Sequence, residues 1–106
     1  MDYQIKITEL FNEQFKKIIP KQYHEDIKRR ISKLKENPFI GKPLGDKYLR
    51  ELKLKKFRIY FIIFEKKIIV FLVAISDKKD QKKIIQLVKD MYPELENIVK
   101  NINTDI

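Results

Sequence analysis

Apolar positions along the chain change their period several times, and each change marks an element. "YQIKIT" alternates polar and apolar residues and predicts a short first strand. From Glu9 the spacing turns helical: Phe11, Phe15 and Ile18 recur on one face until Pro20, whose fixed φ suits the first turn of a second helix. That helix carries Tyr23, Ile27, Ile31 and Leu34 on one stripe, and so tight a junction predicts an antiparallel helix pair. "ENPFIGKPLGDK" breaks every period with both glycines of the chain, and is expected to be the longest loop. "YLRELKL", "FRIYFIIF" and "KIIVFLVAI" then read as three strands joined by tight turns, hence antiparallel neighbours, with the third, apolar on both faces, in the sheet centre. After "SDKKD" a stripe of Ile84, Val88 and Met91 predicts a helix. Pro93 should interrupt it, leaving Leu95, Ile98, Val99 and Ile102 on a further helix at a changed angle.

The fold class that follows is α+β, an antiparallel helix pair packed on a small, mainly antiparallel sheet and closed by a C-terminal helix. Residues 1–106 read as one domain, with 93–106 as a helical extension. With 43% hydrophobic residues the chain can bury a single core. Lacking cysteine, it has no disulfide or thiolate metal site, which suits a reducing cytoplasm. The N-terminus shows no secretory signal, and the longest apolar run, Ile68 to Ile75, falls far short of the ~20 residues that span a bilayer, so no membrane partner is expected.

Charge changes the picture most. The net charge of +9 favours a polyanionic partner. Residues 41–90 carry 14 basic against 6 acidic side chains, so the excess lies around "LKLKKFRIYFIIF". A turn at Lys55 and Lys56 sets Lys53 opposite Arg58, Glu51 opposite Tyr60 and Leu52 opposite Ile59. Leu52, Leu54, Phe57, Ile59 and Phe61 then face a core, and Glu51, Lys53, Arg58 and Tyr60 face the other way. Opposed like charges on a sheet cost up to ~1 kcal/mol, which an anion over Lys53 and Arg58 would reverse. Lys55 and Lys56 sit in a turn that is solvated anyway. Arg58, between Phe57 and Ile59 in an otherwise apolar strand, is a costly place for a charge without a partner.

A second basic cluster, Lys78, Lys79, Lys82 and Lys83, flanks the start of the following helix, where Asp77 is placed to cap and Asp80 to complete a box-like arrangement. Cations are disfavoured at a helix N-terminus unless an anion joins them. Of the familiar catalytic groups little is present. The one histidine, His24, lies on the second helix, Ser32 and Ser76 have no histidine beside them, and no acidic cluster suggests a metal. Cleavage of RNA by its own 2′-hydroxyl needs none of these, and no cofactor. It needs alignment, a proton acceptor and stabilisation of the charged transition state. Arg58 is placed to clamp the phosphate and Lys53, crowded by cations, to accept the proton, with Glu51 as the alternative. Lys78 or Lys79 adds charge, and Tyr60 or Tyr48 stacks a base.

The ordered set "KPL", "RELK", the aromatic-Arg pair "FR", an apolar strand and "KKDQ" before the last helix resembles the RelE/ParE superfamily of toxins from toxin–antitoxin modules. The likeness covers residues 37–91, with weaker support from "FNEQFKK" and "RRISKLKENP". It implies a RelE-like fold, a cognate antitoxin as partner, and one of two activities: ribosome-dependent endoribonuclease cleavage of mRNA, which inhibits translation, or poisoning of DNA gyrase. An inactive relic that only binds antitoxin or RNA is a third reading. By position Arg58 matches the strand arginine that binds phosphate in the RNA-cleaving branch, Lys53 lies where basic residues of the preceding strand act, and Lys78 and Lys79 fall near the basic residue ending the last strand. The chemistry and the resemblance together give Arg58, Lys53, Lys79 and Glu51 as the expected catalytic residues, with Arg50, Lys55, Lys56, Tyr60, Lys78, Lys82 and Lys83 against RNA. It departs from RelE in that Glu51 stands where a second basic residue is common, and in that the C-terminal helix lacks the usual tyrosine unless Tyr92 fills in. The antitoxin is expected to be acidic and amphipathic in its toxin-binding segment.

Overall fold

A computed structural model describes residues 2–102 and gives five strands and three helices: β1 (Gln4–Ile7), α1 (Glu9–Ile18), α2 (His24–Lys33), β2 (Lys42–Pro43), β3 (Leu49–Leu54), β4 (Phe57–Phe64), β5 (Ile69–Asp77) and α3 (Gln81–Lys100). The strands form one sheet in the order β1-β5-β4-β3-β2, antiparallel except for the β1–β5 pair. The centre of the sheet is β4 rather than β5. Both are buried on both faces, but β5 must leave one edge for β1, which returns from the start of the chain.

Each face of the sheet carries its own core. Phe11 and Ile19 from α1 and its C-cap, with Ile27 and Leu34 from α2 and its C-cap, pack on Leu54, Phe57, Ile59, Phe61, Val70 and Leu72. Val88, Leu95 and Val99 of α3 pack on the opposite side against Leu49, Tyr60, Ile62, Ile69 and Phe71. That inner stripe explains why Pro93 does not divide the helix. Val88, Leu95 and Val99 recur at seven- and four-residue spacing across the proline, so continuous packing offsets the missing N–H. The expected second helix is therefore the second half of α3; its last residues, 103–106, lie outside the described residues.

Junctions depart from expectation where a short segment carries no periodic signal. Pro20 precedes a 3₁₀ turn, Lys21–Tyr23, and α2 starts only at His24. The long loop contains a 3₁₀ turn at Pro38–Ile40, capped by Asn37 Oδ1 accepting from Phe39 N at 3.0 Å, and then the edge strand β2. Gly41 permits that edge to close on β3, since a Cβ there would stand 2.6 Å from Phe61 Cζ and 3.0 Å from the Glu51 carbonyl oxygen. The hairpin turn is Lys55-Lys56 as expected, but only Lys55 has positive φ (56°), so it is not a type I′ turn, which needs two such residues. A bulge in β5 at Val73 follows from the register, where Tyr60 faces Ala74 and Phe61 faces Leu72.

Candidate functional site

The β3–β4 register is the one the alternation predicts: Lys53 opposite Arg58, Glu51 opposite Tyr60, Leu52 opposite Ile59. Adding β5 sets Ser76 beside Arg58. Adding β2 sets Lys42 beside Glu51. Cross-strand partners share a face, so Lys42, Glu51, Lys53, Arg58 and Ser76 all lie on the α3 side of the sheet.

Arg58 is buried, and it does have a partner in its own chain. Its Nε donates to Glu51 Oε1 at 3.1 Å, with side-chain exposures of 10% and 6%. Nη1 donates to the Phe57 carbonyl at 3.2 Å and more weakly to that of Lys55 at 3.5 Å. Among the described residues Nη2 has no hydrogen-bond acceptor. Glu51 is held in turn by Gln81, whose Nε2 donates to Oε2 at 3.1 Å from the first turn of α3. These groups wall an open cavity of about 390 Å³, with Lys42, Lys53 and Ile40 at its sides. The sequence reading places Glu51, Lys53 and Arg58 together correctly; it misses Lys42 and Gln81. For Lys42 the only sign was a lysine following Gly41, because a two-residue strand has no period to detect.

Other expected site residues lie elsewhere. Tyr60 is fully buried, its hydroxyl 2.8 Å from Ser76 Oγ, so its ring has no face to offer a base. Burial raises its pKa above the ordinary tyrosine value, against a lowering by the Ser76 bond. Arg50 projects from the other face, stacks on Phe39, and donates to the carbonyls of Phe39 (3.0 Å), Gly41 (2.6 Å) and Lys47 (2.7 Å), pinning the loop that ends in β2. Lys55 and Lys56 extend over the rings of Tyr23 and Phe57. Tyr48, the residue before β3, donates to Glu65 at 3.2 Å. Tyr92 stacks on Phe64 and bonds to Glu96, eleven residues along α3 from Gln81, or ~16 Å. It does not fill in at Arg58.

Lys78 and Lys79 are exposed in the β5–α3 turn, and Lys82 and Lys83 are exposed in the first turn of α3; none lines the cavity. Asp80 is the N-cap of α3 but makes no side-chain cap bond, while Asp77 Oδ1 accepts from Asp80 N at 3.1 Å and so closes the turn rather than capping the helix. The expected box is absent because the helix begins later than the box requires: Asp80 is its N-cap, and Asp77 lies three residues before it, at the end of β5. His24 holds the Ile19 carbonyl at 2.8 Å and packs on Phe15, a structural role. Among the described residues no three His, Asp or Glu side chains gather where they would hold a metal ion, and no helix is long and apolar enough to cross a membrane.

The fold is shared with known toxins. The free-state structure of a variant of E. coli toxin RelE superposes with a TM-score of 0.71 at 19% identity, covering 86% of this chain and 99% of that one. The archaeal RelE–RelB complex from Pyrococcus horikoshii gives 0.63 at 17% identity, covering 74% and 97%. The RelBE2 toxin–antitoxin complex from Mycobacterium tuberculosis gives 0.61 at 16%, covering 74% and 100%. A comparison with curated proteins gives no match. Likeness at these identities is one of fold; sequence carries the rest. The family model described as the ParE toxin of the type II toxin–antitoxin system parDE matches residues 5–82, from β1 to the start of α3, and so takes in both the sheet and every wall of the basic cavity. The chain belongs to the RelE/ParE family of toxins of type II toxin–antitoxin systems.

Proposed function

We propose that the chain is a cytoplasmic mRNA endoribonuclease acting on the translating ribosome and restrained by a cognate antitoxin. The observation that carries this reading is the convergence of Lys42, Lys53 and Arg58 on one cavity with a single carboxylate among them. A cavity with that charge suits a phosphodiester. In this reading the RNA 2′-hydroxyl attacks the adjacent phosphorus, the bond from phosphorus to the 5′-oxygen breaks, and a 2′,3′-cyclic phosphate remains. Nη2 of Arg58 holds a non-bridging oxygen as its charge grows. Lys53, as the unprotonated amine, takes the 2′-hydroxyl proton and so becomes a cation beside the phosphate, solvent protonates the leaving 5′-oxygen, and Lys78 and Lys79 attract the strand from the nearby turn. Glu51, already gripped by Arg58 and Gln81, is the poorer base.

Primer extension on an mRNA in a reconstituted translation system tests this. Wild-type protein is expected to cut within ribosome-occupied codons. Lys53→Ala and the paired change Glu51→Ala with Arg58→Ala, which removes both buried charges together, are expected to abolish cutting. Intact RNA with wild-type protein would sink the reading.

A second reading, inhibition of DNA gyrase without nuclease activity, draws on the Glu51–Arg58 pair, which leaves the arginine half-neutralised. It predicts lost supercoiling activity when gyrase is mixed with the toxin. The antitoxin is expected to be the product of the adjacent gene, as RelB accompanies RelE in the complexes of the structural relatives.

A further inference from the structure

Lys42 enters neither the sequence reading nor the family likeness as a functional residue, yet its position singles it out. It lies on the outermost strand, its Cα partner is Glu51, and its side chain is exposed on the wall of the Arg58 cavity. Among the described residues it forms no ion pair, and neither does Lys53. The one carboxylate within reach is committed: Oε1 of Glu51 to Arg58 and Oε2 to Gln81. Three cations thus surround about 390 Å³ with one compensated and two not. Water and mobile ions screen the repulsion at the two exposed lysines, and an anion seated between the three cations would turn it into attraction. The volume lies within the roughly 300–1,000 Å³ of small-ligand sites.

The brace behind Arg58 adds direction. Glu51 grips Nε and backbone carbonyls accept from Nη1, so rotation of the guanidinium is blocked and Nη2 is the nitrogen left for a ligand. Since Glu51 and Gln81 act through Arg58, they are positioning residues.

We infer that Lys42 is an RNA-backbone ligand, which with Lys53 and Nη2 of Arg58 forms a three-strand cradle for a phosphodiester of single-stranded RNA. The inference rests on the RNA-cleaving reading for its ligand but not on cleavage. A short 2′-O-methyl RNA oligonucleotide, which cannot be cut by its own hydroxyl, separates the two.

Binding of that oligonucleotide to the full chain is measured by fluorescence anisotropy across a salt series. Lys42→Ala is expected to weaken binding roughly tenfold, as loss of a charge-assisted bond does, and to flatten the slope of log K against log salt by about 0.7. Lys42→Arg should restore both. Lys28→Ala, exposed on the α2 side, should change neither. Unchanged affinity and slope in Lys42→Ala overturns the inference, as does failure of the wild-type chain to bind the oligonucleotide at low salt. Binding that depends on Lys42 in a protein that cuts no ribosome-bound mRNA sinks the nuclease and leaves the cradle standing. Cutting with Lys42-independent binding does the reverse.

Discussion

Breaking the Glu51–Arg58 pair from one side leaves a buried charge without its counterion. Glu51→Ala is expected to cost about 3 kcal/mol, the low end for a buried pair because Arg58 keeps one edge on the cavity. The added change Arg58→Ala should recover most of it. Urea denaturation of the two single variants and the double variant measures the coupling, and costs that simply add would mean the pair does not contribute. Tyr60 makes a prediction in pH. Burial raises its folded pKa above that of the unfolded chain, so above about pH 10 the unfolded state loses the proton first and stability falls as pH rises. Tyr60→Phe should be less stable at neutral pH by about 1 kcal/mol, through the loss of the Ser76 bond, but decline less steeply in alkali. Thermal melts from pH 8 to 11 would show the two curves converging; parallel curves would exclude Tyr60 as the titrating group. The sequence did place Glu51 diagonal to Arg58 on one face. What it did not reveal was that they would pair, since the third member, Gln81, arrives 30 residues later from another element.

Among the elements, the hairpin was legible because strict alternation leaves one register that buries Leu52, Leu54, Phe57, Ile59 and Phe61 together. β2 was not, for two residues carry no period and its position is set by Arg50 gripping the loop and by the absence of a side chain at Gly41. Gly41→Ala is accordingly expected to force Phe61 or the β2–β3 pairing to shift, at a cost of about 1–3 kcal/mol by overpacking. Because β2 carries Lys42, that variant should also lose RNA affinity; a fully stable variant with normal binding would show the edge to be plastic. In α3 the propensity signal was read correctly and then overruled, since Pro93 does disfavour a helix but Leu95 and Val99 are buried beyond it. Replacing it by alanine restores a donor at an exposed position and should raise stability by up to about 3 kcal/mol. A lower melting temperature would mean the proline shapes the helix to the sheet.

On the scale of the whole molecule, one sheet separates two cores, and the second depends on the C-terminal half of α3. Removing residues 93–106 takes Leu95 and Val99 out of the core that also holds Leu49 and Ile62 and gives up about 3–6 kcal/mol of apolar burial, comparable to the total stability of a small domain. The shortened chain is expected to bind a hydrophobic dye and lose near-ultraviolet dichroism; a native-like spectrum would show that the α1–α2 core suffices.

The parallel pairing of β1 with β5 also dictates an order of events. Gln4 aligns with Ile69 and Ile7 with Leu72, and the Thr8 hydroxyl, which accepts from Phe11 N to start α1, donates to the Val73 carbonyl at the bulge. The beginning of the chain therefore has no seat until residues 69–73 have left the ribosome, whereas the β3–β4 hairpin can close as soon as it emerges. The basic surface is assembled from neighbours, but the sheet is locked by a contact across 65 residues. During synthesis the nascent chain thus carries its polyanion-seeking charges before it has a finished fold, and the first strand made is the last to be placed.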